Sequence, residues 1–261
     1  MQLISILFLF FLGAIFGSFF GVVLDRYNTG KGIGGRSICF GCKKKLHAPE
    51  LVPIISYLCL GGKCRGCKSK ISVEYLLLEI ASGLVFVAVA FVVFPLYGYV
   101  GAFHFFAIVA YYISIFSIFL LIAFYDLRHK IIPDTMVYVA SGIAFFGLLL
   151  FPGITIWNIL AGPILAAPFA LVWFFSKGRA MGLGDAKLAL PIGWMLGLGA
   201  GTAALLIAFW IGAFVSLVLM AIQRKKYSMK TEIPFAPYLV IGTYLAFAFS
   251  LTIQMVMMWL Y

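Results

Sequence analysis

The chain has 261 residues and a formal net charge of +11; 64% of its residues are hydrophobic, 10% are charged, and its mean hydropathy is +1.13. A soluble domain of this length does not need so much apolar sequence, whereas helices that cross a bilayer require apolar runs of about 20 residues. The composition therefore predicts an all-α polytopic membrane protein, and the alternating pattern of a membrane β-barrel is not seen.

Eight apolar segments follow one another along the chain and are separated by polar links. The predicted spans are 1–24, 73–94, 102–125, 135–151, 156–175, 188–197 with its flanks, 201–222 and 238–259. The sixth is short and flanked by glycines, so a re-entrant or strongly tilted segment is a second interpretation of it. This order predicts a first transmembrane helix (1–24), a polar loop (25–72) and a seven-helix membrane domain (73–261).

The basic residues predict how these helices are oriented. Ten lie in 25–72, two in 126–134, three in 176–187 and four in 223–237, which accounts for all 19 Lys and Arg residues. Cytoplasmic loops of membrane proteins collect Lys and Arg, so these four links are predicted to be cytoplasmic and both termini to lie outside. Orientation and anionic lipid headgroups then explain the positive charge, and nucleic acid is not a predicted partner.

All five cysteines lie in the polar loop, and four of them form two C-x-x-C pairs. The pairs are Cys39 with Cys42 and Cys64 with Cys67. Four thiolates in two such hairpins suit a structural, tetrahedral Zn²⁺, whose binding would supply folding energy to a loop with little apolar core. Unligated structural cysteines are the alternative interpretation. Cys59, in an apolar run, is expected to be a packed thiol rather than a ligand.

Two aspartates stand at the predicted cytoplasmic boundary. Asp126 follows the third apolar run, and Asp185 follows Gly182 and Gly184 just before the sixth. A carboxylate at a membrane edge is costly, which makes it a candidate functional residue. If the bundle brings them together, one keeps its proton while the other ionises, and the pair can activate water to attack a peptide carbonyl. The glycines would allow backbone and substrate to approach closely.

Other interpretations of the acidic residues stay open on these patterns alone. Asp185 could cap the sixth helix, and Asp134, after Pro133, is expected to cap the fourth. A membrane transporter with a zinc-stabilised cytoplasmic domain and an acidic proton relay is an alternative function, although transporters place ionisable groups near the midplane and show internal repeats. A membrane-anchored zinc module that recruits a partner is a third, and it leaves Asp185 unexplained.

Two further charged residues are candidates for substrate binding. Glu79 lies about two turns into the second span and is expected to face the bundle interior, where it pairs with a polar group or receives substrate or cofactor. Lys187, two residues after Asp185, either holds an anionic or carbonyl group near the aspartates or extends to the lipid headgroups.

Several motifs, in order, resemble those of one protein family. Residues 125–134 (YDLRHKIIPD) and 182–187 (GLGDAK) resemble the paired signatures of type IV prepilin peptidases, which are GxGD intramembrane aspartic proteases. Shorter matches are GSF at 17–19, RSIC at 36–39, SYL at 56–58, GKCR at 62–65 and PFAP at 234–237. The ordered set covers most of the chain and is far more specific than GxGD alone.

The resemblance implies a bifunctional enzyme of the bacterial inner membrane. Family members cleave the leader from prepilins and pseudopilins at the cytoplasmic surface and methylate the new N-terminus with S-adenosylmethionine. Asp126 and Asp185 would be the catalytic dyad, Asp134 would match the family's Ile-Pro-Asp without being catalytic, and the cysteine loop would serve the methyltransferase function. Gly182, Gly184, Lys187 and Glu79 are the candidate substrate-binding residues. Neither the S-adenosylmethionine site nor the oligomeric state is indicated by the sequence.

Overall fold

The structure, a computed structural model, describes residues 3–30, 32, 34–179, 181–222, 233–252 and 254–255. Regular structure in these residues is helical, apart from two isolated β-bridges in the cysteine loop, Ile38 with Lys45 and Lys63 with Lys70. The predicted all-α class is therefore confirmed. The chain divides into two compact units, Met1–Ala90 and Phe91–Tyr261, which are described separately.

The first unit is a helix pair that carries the cysteine loop. It contains α1 (Leu3–Arg26), the short α2 (Ile55–Cys59) and most of α3 (Val73–Tyr97). The helical segments of α1 and α3 are long and strongly apolar, as a membrane span requires. The loop between them has almost no regular structure, so its fold depends on hairpins and on the cysteines.

Three glycines spaced four residues apart bring α1 and α3 into close contact. A Cβ on Gly13 would lie 2.6 Å from the Ser82 carbonyl oxygen, and one on Gly21 would lie 2.9 Å from the Tyr75 ring. Residues later in α1 therefore contact residues earlier in α3, so the two helices pack antiparallel. Small residues at this spacing allow helices in lipid to pack backbone against backbone. We call Gly13, Gly17 and Gly21 the glycine seam.

The second unit is a bundle built around one long helix. It contains the end of α3 and the helices α4 (Ala102–His129), α5 (Asp134–Gly147), α6 (Ile156–Ser176), α7 (Leu183–Ile222) and α8 (Ala236–Ala248). The long α7 packs against α5, α6 and α8, and α4 packs against α5 and α8. Fully buried side chains such as Phe116, Phe119 and Ile122 form the centre of this core.

The long helix α7 turns back on itself at Gly197. This glycine has φ 72° and ψ −178°, a conformation outside the helical region. A Cβ on Gly201 would lie only 3.8 Å from the Cα of Gly193, whereas residues eight apart in an uninterrupted helix are separated by about 12 Å. The chain therefore reverses at Gly197. The separate sixth and seventh apolar segments of the prediction correspond to its two arms, 183–196 and 198–222.

Among the residues that the structure describes, five helices are long and apolar enough to cross a membrane: α1, α3, α4, α6 and α7. The apolar helices α5 and α8 are shorter, and the 13 residues of α8 reach only about 20 Å, less than the hydrocarbon thickness of about 30 Å. The apolar segments follow the predicted order. The number of eight crossings stays a prediction.

Several helix ends differ from the predicted ends of the apolar spans. The third predicted span, α4, continues past Tyr125 to His129, and the sixth, predicted as 188–197 with its flanks, begins at Leu183. Asp126 and Asp185 therefore lie inside helices rather than in links. The second predicted span, α3, continues through Pro95 to Tyr97. The last ends at Ala248, although its predicted end was residue 259. Residues 223–232 and 256–259, on which parts of the prediction fall, lie outside the described residues, as does Lys31.

Candidate functional site

The two C-x-x-C pairs form matching hairpins in the first unit. The Cys39 amide donates to the Lys44 carbonyl at 2.9 Å, and the Cys64 amide donates to the Ser69 carbonyl at 2.9 Å. In each hairpin the residue after the second cysteine, Lys43 or Lys68, adopts a left-handed conformation, with φ 58° and 59°. The matched turns present all four thiols toward one point.

The geometry of the four sulfurs suits a tetrahedral metal site. The Sγ atoms of Cys39, Cys42, Cys64 and Cys67, which we call the four-cysteine cluster, all lie within 4.8 Å of one another. Cys39 Sγ and Cys67 Sγ are 3.8 Å apart, which is about the sulfur–sulfur spacing around Zn²⁺ with bonds of about 2.3 Å. The four-cysteine cluster could therefore bind zinc.

Hydrogen bonds within the hairpins favour the thiolate form of one ligand. The backbone amide of Cys42 and the Ser69 hydroxyl lower the pKa of the Cys39 thiol to about 6. Since the thiolate is the form that coordinates metal, these hydrogen bonds favour metal binding at Cys39.

The remaining loop residues stay outside the cluster. Cys59 is not a member of it, as predicted, but the expectation of a packed thiol was wrong, because Cys59 is exposed at the end of the short α2. His47, in the same loop, is exposed.

Asp126 lies in the last helical turn of α4 and is buried, with 4% of its surface exposed. Its Oδ2 accepts a hydrogen bond of 3.2 Å from the backbone amide of Ala236, the first residue of α8. The first amides of a helix have no partner within the helix and carry partial positive charge. The start of α8 thus stabilises this carboxylate from a point 110 residues further along the chain.

Asp185 lies in the first turn of α7 and is also buried, with 8% of its surface exposed. Its carboxylate accepts a hydrogen bond from the amide of Gly182, the residue before the helix, and lies close enough to Asp126 to interact with it electrostatically. This hydrogen bond from the Gly182 amide caps the start of α7, which is the alternative role of Asp185 that the sequence left open. The structure therefore places both carboxylates within electrostatic range of each other and gives Asp185 a cap contact as well.

Gly184 explains how the two aspartates come near each other. A Cβ at Gly184 would lie 2.9 Å from the Cβ of Ile132, which belongs to the link that follows α4. The absence of a side chain lets that link pack against the start of α7, one residue before Asp185. Gly184 therefore makes room for the Ile132 side chain, whereas Gly182 is exposed.

Lys187 and Asp134 form an ion pair beside the two buried aspartates. The Lys187 ammonium lies 2.8 Å from Asp134 Oδ1 and 5.6 Å from the centre of the Tyr138 ring. Asp134 was expected to cap the fourth predicted span, which is α5. This prediction was wrong, because α5 has no side-chain cap and the Asp134 carboxylate pairs with Lys187 instead. The ion pair joins the starts of α5 and α7.

A cavity of about 400 Å³ lies in the first unit beside the cysteine hairpins. The Cys39 and Cys64 side chains form part of its wall, and Asp25, Tyr75 and Glu79 are among its polar lining residues. The Glu79 side chain is buried, as predicted from its depth in the span, and its Oε2 accepts a hydrogen bond of 2.7 Å from the Ile54 amide. We call this space the Glu79 cavity.

Sequence reasoning missed the partners that hold these acids. They are the amides of Ala236 and Ile54 and the hydroxyl of Ser18, which donates to Glu79. Every residue except proline has a backbone amide, so residue type does not reveal which amide will donate to a given carboxylate. The nearest signals were the prolines at 237 and 53, which mark a helix start and a turn, and the Gly17-Ser18 pair, which belongs to the glycine seam.

Two family profiles match the chain. That of the Bacterial Peptidase A24 N-terminal domain matches residues 11–93, which contain the four-cysteine cluster and Glu79. That of the Type IV leader peptidase family matches residues 113–217, which contain Asp126 and Asp185.

Several curated proteins are similar to most of the chain. A prepilin leader peptidase/N-methyltransferase of Aeromonas hydrophila is 31% identical over 218 residues, which are 81% of this chain and 70% of the relative. One of Stutzerimonas stutzeri is 32% identical over 80% of this chain and 70% of the relative. One of Bacillus subtilis strain 168 is 28% identical over 95% of each. No solved structure is significantly similar to the chain.

Proposed function

The chain belongs to the type IV leader peptidase family, and on that premise we propose that it is an aspartic endopeptidase that removes the leader from prepilins or pseudopilins and then methylates the new N-terminus. The observation that carries the proposal is the pair of buried carboxylates, Asp126 and Asp185, which lie close enough within the bundle of the second unit to interact electrostatically. The transporter alternative is not favoured, because both the matching profiles and the relatives are peptidases.

The proposed cleavage uses the two carboxyls as base and acid. The ionised carboxylate takes a proton from water while the water oxygen bonds to the scissile carbonyl carbon, and the protonated carboxyl supplies a proton to the leaving amide nitrogen. The C–N bond then breaks and a free amine is left at the new N-terminus. The Ala236 and Gly182 amides, which bond to Asp126 and Asp185, keep each carboxyl in position through the reaction.

Methylation would act on that amine. Its lone pair forms the new N–C bond, the C–S bond of the methyl donor breaks, and the displaced proton passes to solvent. The names of the relatives imply S-adenosylmethionine, which supplies an activated methyl group on a sulfonium and leaves as a neutral thioether. The four-cysteine cluster would hold a structural Zn²⁺ that keeps the loop folded.

The chain is a multi-pass protein of the bacterial inner membrane. We propose that the cysteine loop and the two aspartates face the cytoplasm and that both termini face outward, because every Lys and Arg lies on the links assigned to the cytoplasmic side. The partners would be prepilin or pseudopilin substrates and the surrounding lipids.

Replacement of either aspartate tests the peptidase. In the purified full chain in detergent, Asp126→Asn and Asp185→Asn are each expected to lower leader removal from a prepilin roughly thousandfold or more, because the members of a catalytic unit fail together. The asparagines keep the shape of the side chain and remove its charge. Leader removal is measured as the mobility shift of the prepilin on a gel.

Asp134→Asn is the matched control, because it removes a carboxylate from the same region that pairs with Lys187 instead. It is expected to retain cleavage. Cleavage at the wild-type rate by either the Asp126 or the Asp185 variant would contradict the proposed mechanism.

A further inference from the structure

Glu79 is a buried carboxyl group without a cationic partner. It is 8% exposed, and its partners are the Ile54 amide and the Ser18 hydroxyl, both of them neutral. In the part of the chain that the structure describes, no lysine or arginine pairs with it. Buried carboxylates in proteins are ordinarily paired with a cation or a metal, because desolvation of an isolated charge is expensive. The carboxylate has hydrogen-bond donors, and what it lacks is a positive charge.

The backbone that contacts Glu79 is held in an unfavourable conformation. Ile54 has φ 63° and ψ −54°, a γ-turn conformation with positive φ that is costly for a β-branched residue. The Ile55 amide closes this turn by donating to the Pro53 carbonyl at 2.6 Å. This turn directs the Ile54 amide at the Glu79 carboxylate, 2.7 Å away. Strain of this kind persists where surrounding structure enforces it, which is common at ligand sites.

The opposite side of Glu79 is held by the glycine seam. A Cβ on Gly17 would lie 2.7 Å from the Glu79 Cα and 2.9 Å from the Ser82 hydroxyl, so only glycine lets α1 come this close. The next residue, Ser18, thereby reaches the carboxylate. The position of Glu79 is consequently determined from both sides, by α1 and by the strained turn.

The Glu79 cavity has the size and lining of a small-molecule site. Its volume of about 400 Å³ lies within the range of about 300–1,000 Å³ that is usual for such sites. Its wall combines apolar side chains with the aromatic rings of Tyr57 and Tyr75, the carboxylate of Asp25 and the guanidinium of Arg65. Aromatic faces and carboxylates together favour an organic cation.

We propose that the Glu79 cavity binds S-adenosylmethionine with its sulfonium against Glu79. The inference rests on the methyl transfer of the proposed function and names its site. A sulfonium carries positive charge and donates no hydrogen bond, which suits a carboxylate already bonded by Ile54 and Ser18. Glu79 acts here as a binding residue that favours the charged donor over the neutral thioether product. Because Cys39 and Cys64 form part of the wall, the zinc loop shapes the same site.

Calorimetric titration of the purified full chain with S-adenosylmethionine and with S-adenosylhomocysteine tests the proposal. The two probes differ by the methyl group and the positive charge on sulfur. The wild type is expected to bind the sulfonium form more tightly. Glu79→Gln is expected to weaken S-adenosylmethionine binding about tenfold or more and to change S-adenosylhomocysteine binding by less than about twofold.

Glu74→Gln, on the same helix but outside the cavity lining, is the matched control and is expected to leave both affinities unchanged. Zinc content reports whether each variant keeps its loop folded. Photo-crosslinking of radiolabelled S-adenosylmethionine to the wild type, followed by peptide mapping, locates the ligand without any substitution and is expected to label residues within 18–79.

The possible outcomes separate this proposal from the function on which it rests. Equal losses for the two probes in Glu79→Gln, or labelling outside 18–79, would overturn the site and leave methylation intact. Absence of S-adenosylmethionine binding to the wild type would overturn both the site and the methyltransferase function. A selective loss of the sulfonium probe together with labelling in the cavity supports the proposal.

Discussion

Asp126 and Asp185 are each bonded by a backbone amide at the start of a helix, that of Ala236 for α8 and that of Gly182 for α7. An amide donor is lost only on substitution by proline, and the helix N-terminus favours a negative charge nearby. Both carboxyls are thus held by the fold itself rather than by other side chains. Neighbouring residues can therefore vary while the positions of the two acids are kept.

Lys43 and Lys68 occupy equivalent left-handed positions in the two cysteine hairpins. This conformation costs a residue with a Cβ roughly 1–2 kcal/mol, and it costs glycine far less. Both side chains are exposed, so little packing is lost on replacement. Lys43→Gly and Lys68→Gly are each expected to stabilise the folded loop by about 1 kcal/mol, measured as slower zinc loss to a chelator.

Lys44→Gly is the control within the same hairpin, because Lys44 does not have positive φ and glycine there only adds freedom to the unfolded chain. Zinc loss from this variant is expected to be unchanged or faster. If all three glycine variants lost zinc at the same rate, conformational strain would not be the cause.

Residue identity and spacing predicted the candidate acids and the four cysteines, but not their surroundings. Asp126, Asp185 and the C-x-x-C pairs are recognisable because a charge in apolar sequence and a repeated thiol spacing are visible locally. The contact between Asp126 and the Ala236 amide joins residues 110 positions apart, and no local pattern encodes it. The bond between Ile54 and Glu79 escaped prediction for the same reason.

The boundaries of α4 and α7 show what hydropathy misses at the scale of an element. The apolar runs end at residue 125 and begin at 188, yet α4 continues through Asp126 to His129 and α7 begins at Leu183. Helical backbone hydrogen bonds continue as long as φ and ψ stay helical. The helix α4 ends at Lys130, which adopts a left-handed conformation and whose amide donates to the Asp126 carbonyl at 2.7 Å. A polar turn of helix at the end of a span is invisible to a hydropathy window.

The glycine seam predicts that α1 tolerates no side chain at Gly17. Gly17→Ala is expected to destabilise the first unit by about 1–3 kcal/mol, because the new methyl group would collide with the α3 backbone at Glu79. The measurement is the thermal unfolding midpoint of the full chain in detergent.

Gly142→Ala, in the interior of α5, is the matched control, because a Cβ there would meet no atom within 4 Å. Alanine favours helix over glycine by about 1 kcal/mol, so this variant is expected to be as stable as the wild type or more so. Equal midpoints for the two variants would mean that the seam is not closely packed in solution.

At the scale of the whole molecule, the two proposed activities have their residues in different units. The four-cysteine cluster and the Glu79 cavity lie in Met1–Ala90, and the two aspartates with their amide partners lie in Phe91–Tyr261. Zinc removal with a chelator is therefore expected to abolish methylation of the mature pilin while leader removal changes by less than about twofold. Mass spectrometry of the pilin N-terminus measures methylation, and a gel shift measures cleavage.

Elemental analysis is expected to find about one zinc per chain, lost in the double variant Cys39→Ser with Cys64→Ser and retained in Cys59→Ser, whose thiol lies outside the cluster. Parallel loss of cleavage and methylation on chelation would show that the zinc loop also supports the peptidase.

The contacts that stabilise the first unit all lie within that unit, which has a consequence for the order in which the protein folds during synthesis. The seam between α1 and α3, the paired cysteine hairpins and the Ile54–Glu79 bond all use residues before Ala90. Chains are synthesised from the N-terminus, and domains generally fold as units in that order. The metal can therefore be captured and the helix pair assembled in the membrane while the ribosome is still translating the helices that carry the aspartates. We therefore expect the loop to fold before the helices that carry the aspartates have been made, and a nascent chain deprived of zinc to fail quality control early in insertion.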